Sequence, residues 1–137
     1  MGMFDAINTA GSGLNVYKTW LDAISDNVAN INTIKPTSQA AFQARYVVSQ
    51  AVEGGQDGAG QGVRVQQIAF GNPAGRLIYQ PGSPLADAQG MVRAPDMNLG
   101  DELSSMIIAQ RAYQANAALV TRAQAAYQAA LNIGKAS

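Results

Sequence analysis

The side chains best able to do chemistry are few and scattered. Asp101-Glu102 are adjacent, and Asp22 and Asp26 stand one helical turn apart, so either pair has the makings of a general acid and base. Both fall in segments patterned as helix, with no apolar pocket or cationic neighbour evident to tune one carboxyl against the other. Ser38 with Lys35, or Ser12 with Lys18, supplies the elements of a serine–lysine nucleophile, yet no motif surrounds them and turn or surface roles are expected. Gly58-Ala59-Gly60-Gln61-Gly62 is rich in glycine like a phosphate cradle. It lacks G-x-G-x-x-G spacing and runs into a strand pattern, leaving no helix N-terminus for an anion. Asp57 lacks the alternating carboxylates and closing Glu of a Ca²⁺ loop. His and Cys are absent, which removes the commonest general base, the thiolate nucleophile and the usual ligands of zinc, haem and iron–sulfur clusters. No catalytic residue, cofactor or metal ligand is expected.

Charge excludes further classes. Nine Lys and Arg balance nine Asp and Glu, so no general field draws the chain to nucleic acid, anionic lipid or an acidic partner. Charged residues make up only 13%, about half the usual share, so much of the expected solvent-facing charge is missing. No apolar run approaches the roughly 18 residues of a membrane span. The opening Met1-Gly2-Met3-Phe4-Asp5-Ala6 has neither the basic region nor the apolar run of a cleavable signal peptide, and Ala6 breaks the myristoylation pattern.

The elements that must position any site are two helical arms around a Gly- and Pro-punctuated middle. In the first arm Met3, Ile7, Ala10, Leu14, Tyr17, Leu21, Ile24, Val28 and Ile31 recur at alternating spacings of four and three, a heptad stripe over about Asp5 to Ile31. In the second, Leu103, Met106, Gln110, Tyr113, Ala117, Val120, Gln124, Tyr127 and Leu131 keep the same period, with Gln110 and Gln124 as polar seam positions. Asn98 is placed to cap that helix, Asp101 and Glu102 suit its first turn, and Gly134 marks the expected stop. Between the arms, alternation over Phe42 to Val48 and Val63 to Gln66 predicts a hairpin across the glycine-rich loop 54–62. Leu77 to Tyr79 and Met91 to Arg93 suggest further short strands around the turn Pro81-Gly82-Ser83-Pro84.

The expected fold is α+β: an N-terminal helix in 1–33, a small β-rich insert in 34–96, and a C-terminal helix in 97–137, the helices paired as a coiled-coil-like hairpin. The second arm also carries Ala109, Ala112, Ala115, Ala118, Ala123, Ala125, Ala126, Ala129 and Ala130, with only two Arg among them. A solvated helix shows charges on its outer face. Small residues there permit close helix contact, so packing against other subunits is expected, which would add burial that one helix pair lacks.

Three segments resemble a known family. Ser25-Asp26-Asn27-Val28-Ala29-Asn30-Ile31-Asn32-Thr33 resembles the Asn-rich end of the first helix in bacterial flagellar axial proteins. Asn tolerates the left-handed backbone that ends helices, and its amide can satisfy loose backbone groups or join a neighbour. Tyr79-Gln80-Pro81-Gly82-Ser83-Pro84-Leu85-Ala86-Asp87-Ala88-Gln89-Gly90-Met91-Val92-Arg93-Ala94-Pro95-Asp96-Met97-Asn98 is similar to the stretch before the last helix in proximal-rod proteins of the flagellar basal body. Arg111-Ala112-Tyr113-Gln114-Ala115-Asn116-Ala117 is similar to the helical signature of rod and hook subunits. The connector departs from the family at Lys35-Pro36-Thr37-Ser38, and Ser83 stands where the family often has His.

The resemblance implies a structural rod subunit of the periplasmic drive shaft, exported by the flagellar type III apparatus and partnered by its own copies and other rod proteins. Small-molecule substrates, nucleic acid and membrane insertion are not expected. The interface is expected to involve Leu14, Leu21, Ile24, Asn27, Val28 and Asn30 of the first helix. Met106, Tyr113, Gln114, Asn116, Val120 and Tyr127 are its counterparts on the second. The competing readings are another rod or rod-junction subunit, and a membrane-associated or chaperone-like helical binder, for which basic helix flanks would be expected.

Overall fold

A computed structural model describes residues 2–54 and 60–135. In chain order the elements are α1 (Met3–Asn30), β1 (Arg45–Ala51), β2 (Val63–Phe70), β3 (Arg76–Tyr79), β4 (Met91–Ala94) and α2 (Leu99–Lys135). The expectations at Gly55, Asp57, Gly58 and Ala59 lie outside the described residues.

The first helix begins where the Gly2 N–H donates to the Asp5 carboxylate at 2.6 Å, which places a negative group over its free amides. At its other end the Asn30 side chain donates to the Asp26 carbonyl at 2.9 Å, and Thr33 donates to Asn30. No described residue other than glycine has a positive φ, so the stop does not use a left-handed Asn; the amide satisfies the last turn directly. Asn98 caps α2 as expected, its Oδ1 accepting the N–H of Gly100 at 2.7 Å and of Asp101 at 3.3 Å. The helix runs through Gly134 to Lys135, one residue past the expected stop, because a helical glycine costs only about 1 kcal/mol.

α1 packs against α2 on one side and against both strands of the β1–β2 hairpin on another, so it forms the middle layer. The helix pair is antiparallel: Gly13 lies beside Asn116, Asn27 bonds Glu102, and the Phe4 and Tyr127 rings meet edge-on at 5.4 Å. Small residues dominate the core, including Ala10, Ala23, Ala41, Ala44, Ala94 and Ala109 beside Val16, Ile24 and Val92.

The expected α2 seam is displaced by about one residue. Ala109 is fully buried and Glu102 is 8% exposed, whereas Leu103 is 44% exposed and Gln110 and Gln124 lie in the open. The cause is close approach: a Cβ on Gly13 would meet the Asn116 amide at 2.7 Å, so the helices touch along their smallest residues. A helix of 3.6 residues per turn also drifts against a strict heptad.

β1 and β2 pair antiparallel with a bulge at Val48/Ser49. The first strand starts at Arg45 instead of Phe42. β3 and β4 form a separate antiparallel pair, so the β-rich insert holds two small two-stranded sheets. The connector after α1 adds to the second sheet, with N–H to O bonds both ways between Lys35 and Arg93 at 2.8 Å. The Arg93 guanidinium then reaches the carbonyls of Thr37 and Ala74, fixing a route that the sequence left open.

The turn before β4 is organised by Asp87, whose carboxylate accepts from the N–H of Met91 at 2.9 Å, the N–H of Gln89 at 3.0 Å and the Thr37 hydroxyl at 3.0 Å. The Met91 amide foremost holds this carboxyl below its ordinary value of 3.8, with desolvation opposing and Thr37 and Gln89 assisting. A lowered folded pKa means the stabilisation is complete above the unfolded value and is lost as pH falls through the folded one, below about pH 4. Amide exchange at Gln89 and Met91 is therefore expected to quicken on acidification through that range, relative to its intrinsic rate. Asp87→Asn should abolish the step, and an identical pH profile in both proteins would refute the assignment.

Candidate assembly interface

The carboxylates and nucleophile candidates do not converge. Asp22 is paired with Lys18 at 2.8 Å and Asp26 with Arg45, both on the surface. Asp101 faces solvent while its neighbour Glu102 is buried. Ser12 is used structurally, its hydroxyl donating to the Thr9 carbonyl at 2.7 Å and accepting the Val63 N–H at 3.0 Å. Ser38 is exposed, and the Lys35 backbone is engaged with Arg93. A groove of about 250 Å³ between α1 and the hairpin is lined by Val16, Tyr17, Trp20, Val47, Ser49 and Val63, a mostly apolar set.

The most constrained polar group is Asn27, 1% exposed at the junction of α1, α2 and β1. Its Oδ1 accepts the Arg45 N–H at 2.8 Å, and its Nδ2 donates to the Arg45 carbonyl at 3.1 Å and to Glu102 Oε2 at 3.2 Å. In an antiparallel ladder the N–H and C=O of one residue point the same way, and those of Arg45 point away from Phe70 towards the helix. The Asn27 amide thus takes the place of a neighbouring strand, which fixes where β1 begins. Periodicity could not reveal this, because the partners lie 18 and 75 residues away.

The expected interface residues separate into groups. Ile24 and Asn27 are buried inside this chain, so in this fold they serve its own packing and present no surface to a neighbour. Leu14, Leu21, Val28 and Asn30 of α1, and Met106, Asn116 and Val120 of α2, are half-buried. Tyr113, Gln114 and Tyr127 are exposed, Tyr127 with one ring edge against Phe4. Sequence reasoning missed Ile107, Ile108 and Leu119, which are 51%, 58% and 55% exposed on the outer side of α2. The signal was present: apolar residues off the stripe in a helix that has only Arg111 and Arg122 as charges between Glu102 and Lys135. Among the described residues, no helix is long and apolar enough to cross a membrane.

The two ends of the chain match separate family models. Residues 7–34 match the flagella basal body rod protein model, and residues 88–133 match that of the flagellar basal body rod FlgEFG protein C-terminal region. The matched segments contain most of α1 and α2. The chain is 34% identical to the flagellar basal-body rod protein FlgC of Yersinia enterocolitica, over 98% of this chain and 100% of that protein. It is 32% identical to FlgC of Borreliella burgdorferi, over 97% and 98% of the two chains, and 27% identical to FlgC of Bacillus subtilis, over 98% and 100%. Near full-length identity, with both terminal helices in the matched order, means that the chain belongs to the FlgC family of flagellar basal-body rod proteins.

Proposed function

We propose that this structural rod protein polymerises through α1 and α2 to build the proximal part of the rod, the shaft that carries torque across the periplasm. Its partners are other copies of itself and other rod proteins, and the flagellar type III apparatus delivers it. Torque passes through packed helices, and no chemical step is assigned to the chain. The observation that carries this reading is the outer side of α2. With its own seam to α1 already closed, the helix still exposes Leu103, Ile107, Ile108 and Leu119 among alanines. A helix of a self-sufficient monomer turns charged residues outward, and an apolar second face calls for a second partner.

Tyr113, Gln114 and Asn116 lie at or beside such contacts in this reading. Their joint replacement by Ala is expected to leave the helical circular dichroism of the purified chain within about 10% of its starting value, since Ala favours helix. Rods should fail to form and cells should stop swimming. Intact rods and ordinary motility in that variant would sink the assignment.

A further inference from the structure

We propose that the outer face of α2 is a seam for a second copy of this chain, parallel and displaced by three heptads. Asp101 of one copy then meets Arg122 of the next, and Ile108 of one seats against Ala129 of the next. The inference rests on the reading that the chain polymerises, and it names which face does so and in what register.

Asp101, Ile108, Ala115, Arg122 and Ala129 recur every seven residues, so they occupy one side of α2, and all are exposed. None belongs to the side that α1 covers. Charge along the helix is segregated: Asp101 and Glu102 stand at its start, and every later charged side chain, Arg111, Arg122 and Lys135, is a cation. Among the described residues neither Asp101 nor Arg122 makes an ion pair.

Whole-heptad displacements of a parallel copy can be compared directly. In register, Arg122 faces Arg122 and Asp101 faces Asp101, which is repulsive. One heptad sets Asp101 on Ile108 and Ala115 on Arg122; two set Asp101 on Ala115 and Ile108 on Arg122, and each strands a charge against apolar surface. Three heptads pair Asp101 with Arg122 and put the large Ile108 on the small Ala129.

That displacement is about 31 Å at 1.5 Å per residue. It lays residues 99–114 of one copy alongside 120–135 of the other. Residues 128–135, which follow the Phe4–Tyr127 contact, fall within that overlap. Each added copy presents the same two surfaces onward, so the contact is heterologous and does not close.

The test uses full-length chain in cells and isolated basal bodies. Asp101→Arg and Arg122→Asp are each expected to lower the amount of chain in basal bodies by about tenfold or more, and the double variant D101R/R122D to restore most of it. Within one chain these positions are about 31 Å apart, so rescue reports contact between copies. Because Asp101→Arg also places a cation at a helix start, a second measurement decides the matter. The chain has no cysteine, so Ile108→Cys with Ala129→Cys should give a chain-to-chain disulfide in basal bodies under mild oxidation, and neither single variant should. A disulfide in a single variant would place like residues opposite each other and overturn the displacement. Motile cells with rods but no disulfide in the double variant would overturn the seam while leaving the rod assignment intact. Absence of the unaltered chain from basal bodies would instead overturn the rod assignment itself.

Discussion

Replacing Asn27 by Ala is expected to destabilise the folded chain by about 3–5 kcal/mol, measured by urea denaturation of the purified protein. The side chain satisfies both backbone groups of Arg45 and one oxygen of the buried Glu102. Truncation leaves all of these without that partner in a site that is 1% exposed, and an unpaired buried polar group costs about 1–3 kcal/mol. The damage should spread beyond α1, because the same amide starts β1 and touches α2. Exchange at the Arg45 amide is expected to rise with the loss of global stability. Glu102→Gln keeps an acceptor for the Asn27 amide and should cost less than half as much. If N27A lost under about 1 kcal/mol, the junction would not have the weight given to it.

Gly75→Ala is expected to cost about 3 kcal/mol or more and to open the second sheet at its Arg76 end. Gly75 has φ +54, and a Cβ there would stand 2.2 Å from the Ala94 carbonyl oxygen and 2.6 Å from the Ala41 Cβ. The obstacle is backbone on one side and the connector on the other, so no side chain can swing aside. Two costs add: left-handed backbone for a residue with a Cβ, and displacement of the β3–β4 edge from the connector. Gly82→Ala is the control, since nothing lies within 4 Å of a Cβ at that position. It should change stability by less than about 0.5 kcal/mol. Equal effects from the two substitutions would contradict the packing described for Gly75.

Local chemistry was legible in the sequence wherever a residue's partners are near it in the chain. The period of four and three marked both helices, the Asn98 cap follows from its position before Asp101 and Glu102, alternation located the first strand pair, and the turn at Pro81 to Pro84 pointed to the second. What was illegible depended on contacts across the chain. β1 starts at Arg45 because Asn27 pairs with its backbone, and no property of Phe42 announces this. The α2 seam turned by a residue because Gly13 lets Asn116 come close, which a pattern of apolar residues does not encode. Asn27 stood out as part of an Asn-rich motif, but its role as an internal junction depended on a carboxylate 75 residues away. Within that motif the helix stop is the work of Asn30, which bonds the last turn, and not of Asn27.

The antiparallel contact between α1 and α2 joins residues 3–30 to a segment that begins at residue 99. Closing it means organising a loop of about 70 residues, and the entropy of that closure must be met before the contact gives anything back. During synthesis α1 therefore emerges with its main partner still unmade, and only the hairpin is available to it. The packing of α1 on α2 and on both strands of the hairpin joins segments distant in sequence, which predicts slow, late consolidation instead of folding segment by segment. A chain built this way remains threadable for longer than one of the same length whose helices pack on their immediate neighbours.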